Sequence, residues 1–342
     1  MPNKCFCGND DLTEYSETYW KCTVCGTLVT KLDVKETIYQ VQDEENDLYG
    51  KKYWEQVMLQ EAGVSEIDEL LDLYFEGRVP YWLKYITQYV PFKSEVLEVG
   101  CGLGQLAYFM KCAGYKQEAL ELSPEICKFV KKKFDVNIKA ENYVALKQKY
   151  DAILAFDLFE HLLKPKKFIE WSYEHLECDG TLCMQTPCYD ANLSYAEMKN
   201  RKPRFELLLV PEQHIYLYSR ESIEYLLRQK GFMDIAFEPA YFGDDYDMFV
   251  FASKTKLNKR TDRVAVQELK EQKLGWLLWT VIHLAEEKEK IYKINVQIEQ
   301  DRKKRLENNQ KLEKLIQQKE KELLDKEEVI QNQLKYIKSL ER

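Results

Sequence analysis

The chain has 342 residues, enough for two domains or one large domain with appendages, and 45% of them are hydrophobic, which excludes wholesale disorder. The net charge of −8 is uneven: residues 253–342 carry 22 basic and 16 acidic side chains, leaving 28 and 42 in the first 252. A body that acidic argues against a nucleic-acid binder, because such binding needs cations that displace counterions.

The residues up to Asp10 are polar and lack the apolar core of a secretory leader. The longest apolar run, Leu274–Ala285, is about 12 residues, too short to span a bilayer. A cytoplasmic protein with reduced thiols is expected. Four of its ten cysteines, Cys5, Cys7, Cys22 and Cys25, lie in two short pairs near the N-terminus. The other six (Cys101, Cys112, Cys127, Cys178, Cys183 and Cys188) are scattered singly and read as inert buried thiols.

Residues 1–32 read as a zinc-ribbon module. Cys22-Thr-Val-Cys25-Gly26 has the spacing of a metal knuckle, with a glycine relieving the turn behind the thiolates. Cys5-Phe-Cys7-Gly8 is a shorter version of it, and 14 residues separate the two pairs. Four thiolates can complete a tetrahedral Zn²⁺ site with no open position, so the role expected is structural.

A polar stretch, Val34–Asn46, leads into a region that alternates short apolar runs with amphipathic helical patterns, the mark of βαβ units and a parallel sheet. The runs are Glu95–Val99, Gln117–Leu122, Val136–Lys139, Tyr150–Asp157 and Thr181–Thr186. After the first of them come Gly100, Gly102 and Gly104, then a helix from Gln105 to about Ala113. Glu98 precedes the glycines, and Glu121 closes the second run, where a carboxylate can grip two ribose hydroxyls. Strand, glycine turn, helix and distal acid describe a nucleoside cofactor at the carboxyl ends of parallel strands. A dinucleotide site would want G-x-G-x-x-G, but Gln105 makes the spacing G-x-G-x-G.

That pattern, with an acid two positions before the first glycine, resembles motif I of class I S-adenosylmethionine-dependent methyltransferases. The resemblance covers about Tyr49–Ser253 and is nearest to the ubiquinone-biosynthesis-type, small-molecule subfamily. Tyr150–Leu162 resembles its fourth-strand motif, with Asp157, Glu160 and His161 in the acidic and Glu-His positions. Gly180–Pro187 resembles the fifth strand, and Pro211–Ser222 followed by Gly231-Phe232 the later histidine, helix and Gly-Phe element. Tyr49-Gly-x-x-Tyr-Trp54 behind a Cys-rich ribbon also occurs in bacterial relatives from sugar and surface-glycan pathways.

The resemblance implies an α/β, Rossmann-like seven-stranded methyltransferase sheet over residues 47–253, ending in an antiparallel strand Asp247–Ala252. It implies S-adenosylmethionine as cofactor, held by Glu98, Gly100, Gly102, Gly104, Glu121 and Asp157. It implies methyl transfer, expected on oxygen, to a small polar or sugar-type acceptor such as a glycan precursor. Deprotonating a hydroxyl calls for a group that titrates near neutrality. His214 and His161 are the candidates; positioning or a structural hydrogen bond is the alternative for the first, a helix cap for the second. Two other functions remain open: a catalytically silent scaffold, and a nicotinamide-dependent oxidoreductase.

Residues 188–213 form an insertion where a lid would lie, with Lys199–Arg204 as the densest basic patch of the acidic body. Arg201 and Arg204 are candidate substrate ligands for a phosphate or nucleotide sugar; a solvated loop is the plain alternative. Beyond Pro239 there is no proline, and residues 261–342 read as one long helix. Ile291, Ile294 and Ile298, then Leu312, Leu315 and Leu323, then Ile330 and Ile337 trace a heptad that Asp301, Arg305 and Asn308 interrupt. Self-association as a coiled coil is expected, with a docked partner or a solvated tail as alternatives. Leu274–Ala285, apolar nearly all round, is expected to be buried against the catalytic domain or a dimer mate; with Trp276 and Trp279 flanked by lysines, peripheral contact of residues 270–342 with a partner or the inner membrane face is the alternative.

Overall fold

The computed structural model describes residues 4–239 and 246–340, and the chain divides into two compact units, Met1–Ala285 and Glu286–Arg342.

The first unit begins with strands β1 (Leu12–Glu14), β2 (Tyr19–Cys22) and β3 (Leu28–Thr30). An aromatic-rich segment follows, with a π-type turn at Tyr53–Val57 running into α1 (Met58–Ala62), α2 (Ile67–Glu76) and α3 (Arg78–Tyr89). Strand and helix then alternate: β4 (Glu95–Val99), α4 (Gln105–Cys112), β5 (Lys116–Glu121), α5 (Pro124–Phe134) and β6 (Ile138–Ala140). Next come β7 (Tyr150–Phe156), α6 (Pro165–His175), β8 (Leu176–Pro187), α7 (Tyr195–Arg201), β9 (Tyr216–Leu217) and α8 (Arg220–Lys230). β10 (Asp234–Glu238), β11 (Asp247–Ser253), α9 (Asp262–Lys270) and the start of α10 (Gly275–Leu340) complete the unit.

Seven strands form one sheet in the order β10-β11-β8-β7-β4-β5-β6. β6, β5, β4, β7 and β8 run parallel, and β11 is inserted antiparallel between β8 and β10. The central strands are apolar on both faces because helices cover both. Val96, Ala152 and Leu154 point to a core shared with Val79, Leu83 and Ile86 of α3. Their neighbours Leu97, Ile153 and Ala155 point the other way, to Phe168 and Ile169 of α6 and Leu227 of α8. The chain leaves β4 for β5 on one side and reaches β7 on the other, and such a reversal opens a crevice at the carboxyl ends of the strands.

A second sheet has the order β1-β2-β3-β9, so the N-terminal strands pair with a segment that follows the fifth parallel strand. Two thiols depart from the expected burial: Cys178 is exposed and Cys112 only half-buried. In Leu274–Ala285, Leu278 and Ile282 are buried in the α3 core, whereas Trp276, Leu277 and Leu284 are exposed.

The second unit is helical. Ile291, Ile294, Ile298, Leu312, Leu315 and Leu323 are exposed along it. Ile330 and Ile337 lie outside the residues whose side chains are described, as do Glu341 and Arg342. No helix among the described residues is long and apolar enough to cross a membrane.

Candidate active site

The glycine loop and its acidic partner are hydrogen-bonded to one another. The Gly100 and Cys101 amides both donate to the Leu120 carbonyl at 2.9 Å, which folds the loop back over β5. The Gly102 amide donates to Glu121 Oε2 at 3.0 Å, while Glu121 Oε1 accepts from Leu122 at 2.7 Å and Ser123 at 3.2 Å. Burial raises the Glu121 pKa, and these three amides oppose the rise. Glu98 is less well served: burial pushes its pKa up to about 8, only the backbone amide of Ala107 opposes the rise, and its Oε2 is buried without a hydrogen bond.

Two of the glycines are dictated by close contacts. Gly102 has φ +53°, and a Cβ there would lie 2.4 Å from Trp54 Cη2, so the indole rests on the loop. Gly104 has φ +76°, and a Cβ there would lie 2.4 Å from Val130 Cγ1 of α5. Gly104 lines neither of the cavities described next, and its role is to let the loop pack against that helix.

Two cavities adjoin at the carboxyl ends of the parallel strands. The larger, about 600 Å³, is lined by Glu121, Leu122, Asn142 and Leu158. The other, about 410 Å³, is lined by Glu98, Gly102, Arg78, Asp247, Arg204 and His214. Trp54, Gly100, Asp157 and His161 line both. A buried carboxylate beside apolar walls suits a nucleoside in the first cavity, and the unpartnered Glu98 oxygen suits a cationic group in the second.

Asp157 directly follows β7 and has φ +47°, a strained value for a side chain other than glycine, of the kind found at functional sites. It is held by Arg78, whose Nη1 lies 2.5 Å from Asp157 Oδ2 and whose Nη2 lies 3.2 Å from Asp247 Oδ2. Burial raises the Asp157 pKa and Arg78 pulls it back; Gln185 Nε2 adds a bond to Oδ1 at 3.3 Å.

Both candidate histidines are half-buried, and in each ring one nitrogen is committed to a backbone carbonyl. His161 Nδ1 lies 3.0 Å from the Gln213 carbonyl and His214 Nδ1 lies 2.7 Å from the Leu208 carbonyl. A carbonyl only accepts, so in each ring Nδ1 carries the hydrogen and Nε2 the lone pair. Desolvation lowers both pKa values, that of His161 to about 3, aided there by His214. The rings stand 5.1 Å apart. Glu160, buried and accepting from Thr186 Oγ1 at 2.9 Å, has its pKa raised by burial and by Asp157. Glu160, His161 and His214 bring potential ligand atoms within 4.8 Å of one another.

The insertion places its two arginines differently. Arg204 lines the second cavity and packs over the Tyr246 ring, whereas Arg201 ends α7 exposed and lines neither cavity. Lys199 is paired with Glu206 at 2.8 Å. Phe205 is fully buried against Tyr15, Tyr19 and Leu28 of the N-terminal module and so anchors the insertion there.

Cys5, Cys7, Cys22 and Cys25 bring their sulfurs within 4.8 Å of one another, with Cys5–Cys25 at 3.4 Å and Cys7–Cys22 at 3.6 Å. Tetrahedral Zn–S bonds of about 2.3 Å put sulfurs about 3.8 Å apart, so the four residues fit a zinc ion. Asn9 Nδ2 lies 3.5 Å from Cys22 Sγ, the kind of outer contact that orients a ligand.

Arg78, Asp247 and Trp54 were not singled out from sequence as site residues. The available signal for Arg78 was a lone arginine in an aromatic stretch, Tyr74–Trp82.

Residues 72–236 match a family model described as a methyltransferase domain. The chain is similar to the ubiquinone biosynthesis O-methyltransferase of Xylella fastidiosa, 29% identical over 117 residues, 31% of this chain and 48% of that protein. The match thus spans about half of that relative's length. Among solved structures, it resembles human N-acetylserotonin methyltransferase in complex with S-adenosylmethionine at 15% identity and TM-score 0.42, over 58% of this chain and 62% of that one. It also resembles magnesium protoporphyrin IX methyltransferase of Synechocystis at 16% identity and TM-score 0.40, over 55% of this chain and 83% of that one.

Proposed function

We propose that this protein, which carries a class I methyltransferase domain, moves a methyl group from S-adenosylmethionine to a hydroxyl of a small polar or sugar-type acceptor, in surface-glycan synthesis. One observation carries the reading: the glycine loop bonded to Glu121 borders both cavities, and His214, its Nδ1–H committed to Leu208, borders the smaller of them together with Gly102.

Glu121 would hold the ribose hydroxyls, Gly100 and Gly102 would admit the chain of the cofactor, and Glu98 would face its cationic amino-acid end. When bound, S-adenosylmethionine supplies an electrophilic methyl group and its own neutral leaving group. The protein's residues do the rest. His214 takes the acceptor's hydroxyl proton at Nε2, and the Leu208 carbonyl on Nδ1–H steadies the imidazolium that forms. Asp247 favours that charge from nearby. Trp54, Tyr53 and Leu208 line the cavity with apolar surface and keep water from the reacting oxygen. Zn²⁺ on the four cysteines has no open position and serves the fold. The exposed isoleucines and leucines of α10 are covered by self-association in a coiled coil.

Calorimetry with S-adenosylmethionine and with NADH tests the cofactor: binding of NADH alone sinks the reading. Release of S-adenosylhomocysteine is then followed across a panel of nucleotide sugars and phenols. Tight cofactor binding without turnover on any acceptor would favour the silent scaffold instead.

A further inference from the structure

The segment that carries His214 is built into the N-terminal ribbon. β3 pairs with β9 in the register Leu28↔Leu217 and Val29↔Tyr216. The Thr30 amide donates to the Ile215 carbonyl at 3.0 Å, and Thr30 Oγ1 donates to the Pro211 carbonyl at 3.1 Å. Between these anchors, Tyr19 of β2, fully buried, donates its hydroxyl to the His214 carbonyl at 2.7 Å. β2 ends in Cys22, so the strand that carries this hydroxyl also supplies one sulfur of the four-cysteine cluster. The His214 backbone is thereby fixed from the ribbon side, while its ring is fixed by Leu208 from the insertion.

We propose that Tyr19 is a positioning residue for His214, and that the ribbon forms a structural wall of the acceptor site rather than an independent appendage. A hydroxyl that holds the backbone of a base holds the direction of its lone pair, and a misplacement of about 1 Å can cost about a hundredfold in rate. The proposal rests on His214 as the base, and its test reads the position of His214 without requiring an acceptor.

Full-length, zinc-loaded protein is labelled with ¹⁵N, and the His214 signals are assigned by their loss in His214→Asn. Wild type should show one Nδ1–H tautomer. In Tyr19→Phe, which removes only the hydroxyl, the ring shifts should move toward mixed tautomers. Exchange of the His214 amide should speed up about tenfold, the scale of one buried hydrogen bond. Zinc content and S-adenosylhomocysteine affinity should stay at wild-type values. Thr30→Val should give a smaller shift in the same direction. Unchanged His214 signals in both variants overturn the proposal. Loss of zinc or of cofactor affinity in parallel with the shifts also overturns it, since Tyr19 would then be only structural. Failure of His214 as base appears separately, as turnover retained by His214→Asn.

Discussion

His214 Nδ1 lies 2.7 Å from the carbonyl oxygen of Leu208, and this contact decides which nitrogen of the ring can act. With the hydrogen on Nδ1, Nε2 is a lone-pair base that desolvation keeps unprotonated at neutral pH. His214→Asn should cut turnover by about 10²–10⁴ while calorimetric cofactor affinity stays the same. Because the pKa is lowered, the base form persists below pH 6.5, so turnover should fall only on further acidification. A pH–rate profile that falls already between pH 7 and 8 as the solution is acidified would exclude His214.

Arg78 is the cation between Asp157 and Asp247. Arg78→Met leaves two partly buried carboxylates facing one another, and should cost about 3 kcal/mol of stability in urea unfolding. Adding Asp247→Asn should recover part of that loss. If the single variant unfolds like wild type, the three groups are not coupled.

Glu98 is an acid whose folded-state pKa is raised to about 8, above its ordinary value of 4.5. Between these values the folded state binds the extra proton, so its stability falls as pH rises through that window. Glu98→Gln, which mimics the protonated form, should flatten this dependence and be the more stable protein at pH 9. Thermal melts from pH 5 to 9 with parallel curves for the two proteins would refute the assignment. A cationic cofactor end facing Glu98 favours the carboxylate, so S-adenosylmethionine binding should release protons, measured calorimetrically in buffers of different ionisation enthalpy.

Gly104→Ala brings a methyl group against Val130 at a position of positive φ. The expected cost is about 2–4 kcal/mol, from overpacking and the left-handed backbone together. Measured against Val130→Ala alone, in which the facing methyl is gone, Gly104→Ala should cost only about 1 kcal/mol, the part due to φ. An undiminished cost there would show that the contact with α5 does not set the requirement for glycine.

A chain ending at Ala285 should run as a monomer in light scattering, and the full chain as an oligomer. Ile294→Lys with Ile298→Lys should shift the full chain to monomer. Equal masses for all three would remove the coiled coil.

Much of the site was legible in the sequence because its chemistry is local. Glu95–Val99, the glycines after it and Glu121 follow one another at spacings that the strand, turn and helix fix by themselves. The structure returned that first strand with the same bounds. The cysteine pairs were legible for the same reason: a knuckle is a property of four or five consecutive residues. Arg201 and Arg204 show the limit. Three positions apart in sequence, they end on different surfaces, because α7 finishes between them and only the second turns toward the cavity.

Sequence alone located the parallel strands, the glycine loop with its acidic partner Glu121 and the four clustered cysteines, since each is encoded in periodicity or short spacing. Only the tertiary structure decided that Arg78 meets Asp157, and that Tyr19 meets His214 across 195 residues of chain. Those contacts depend on which buried faces find each other when the two sheets assemble, and no local pattern of residues records that choice.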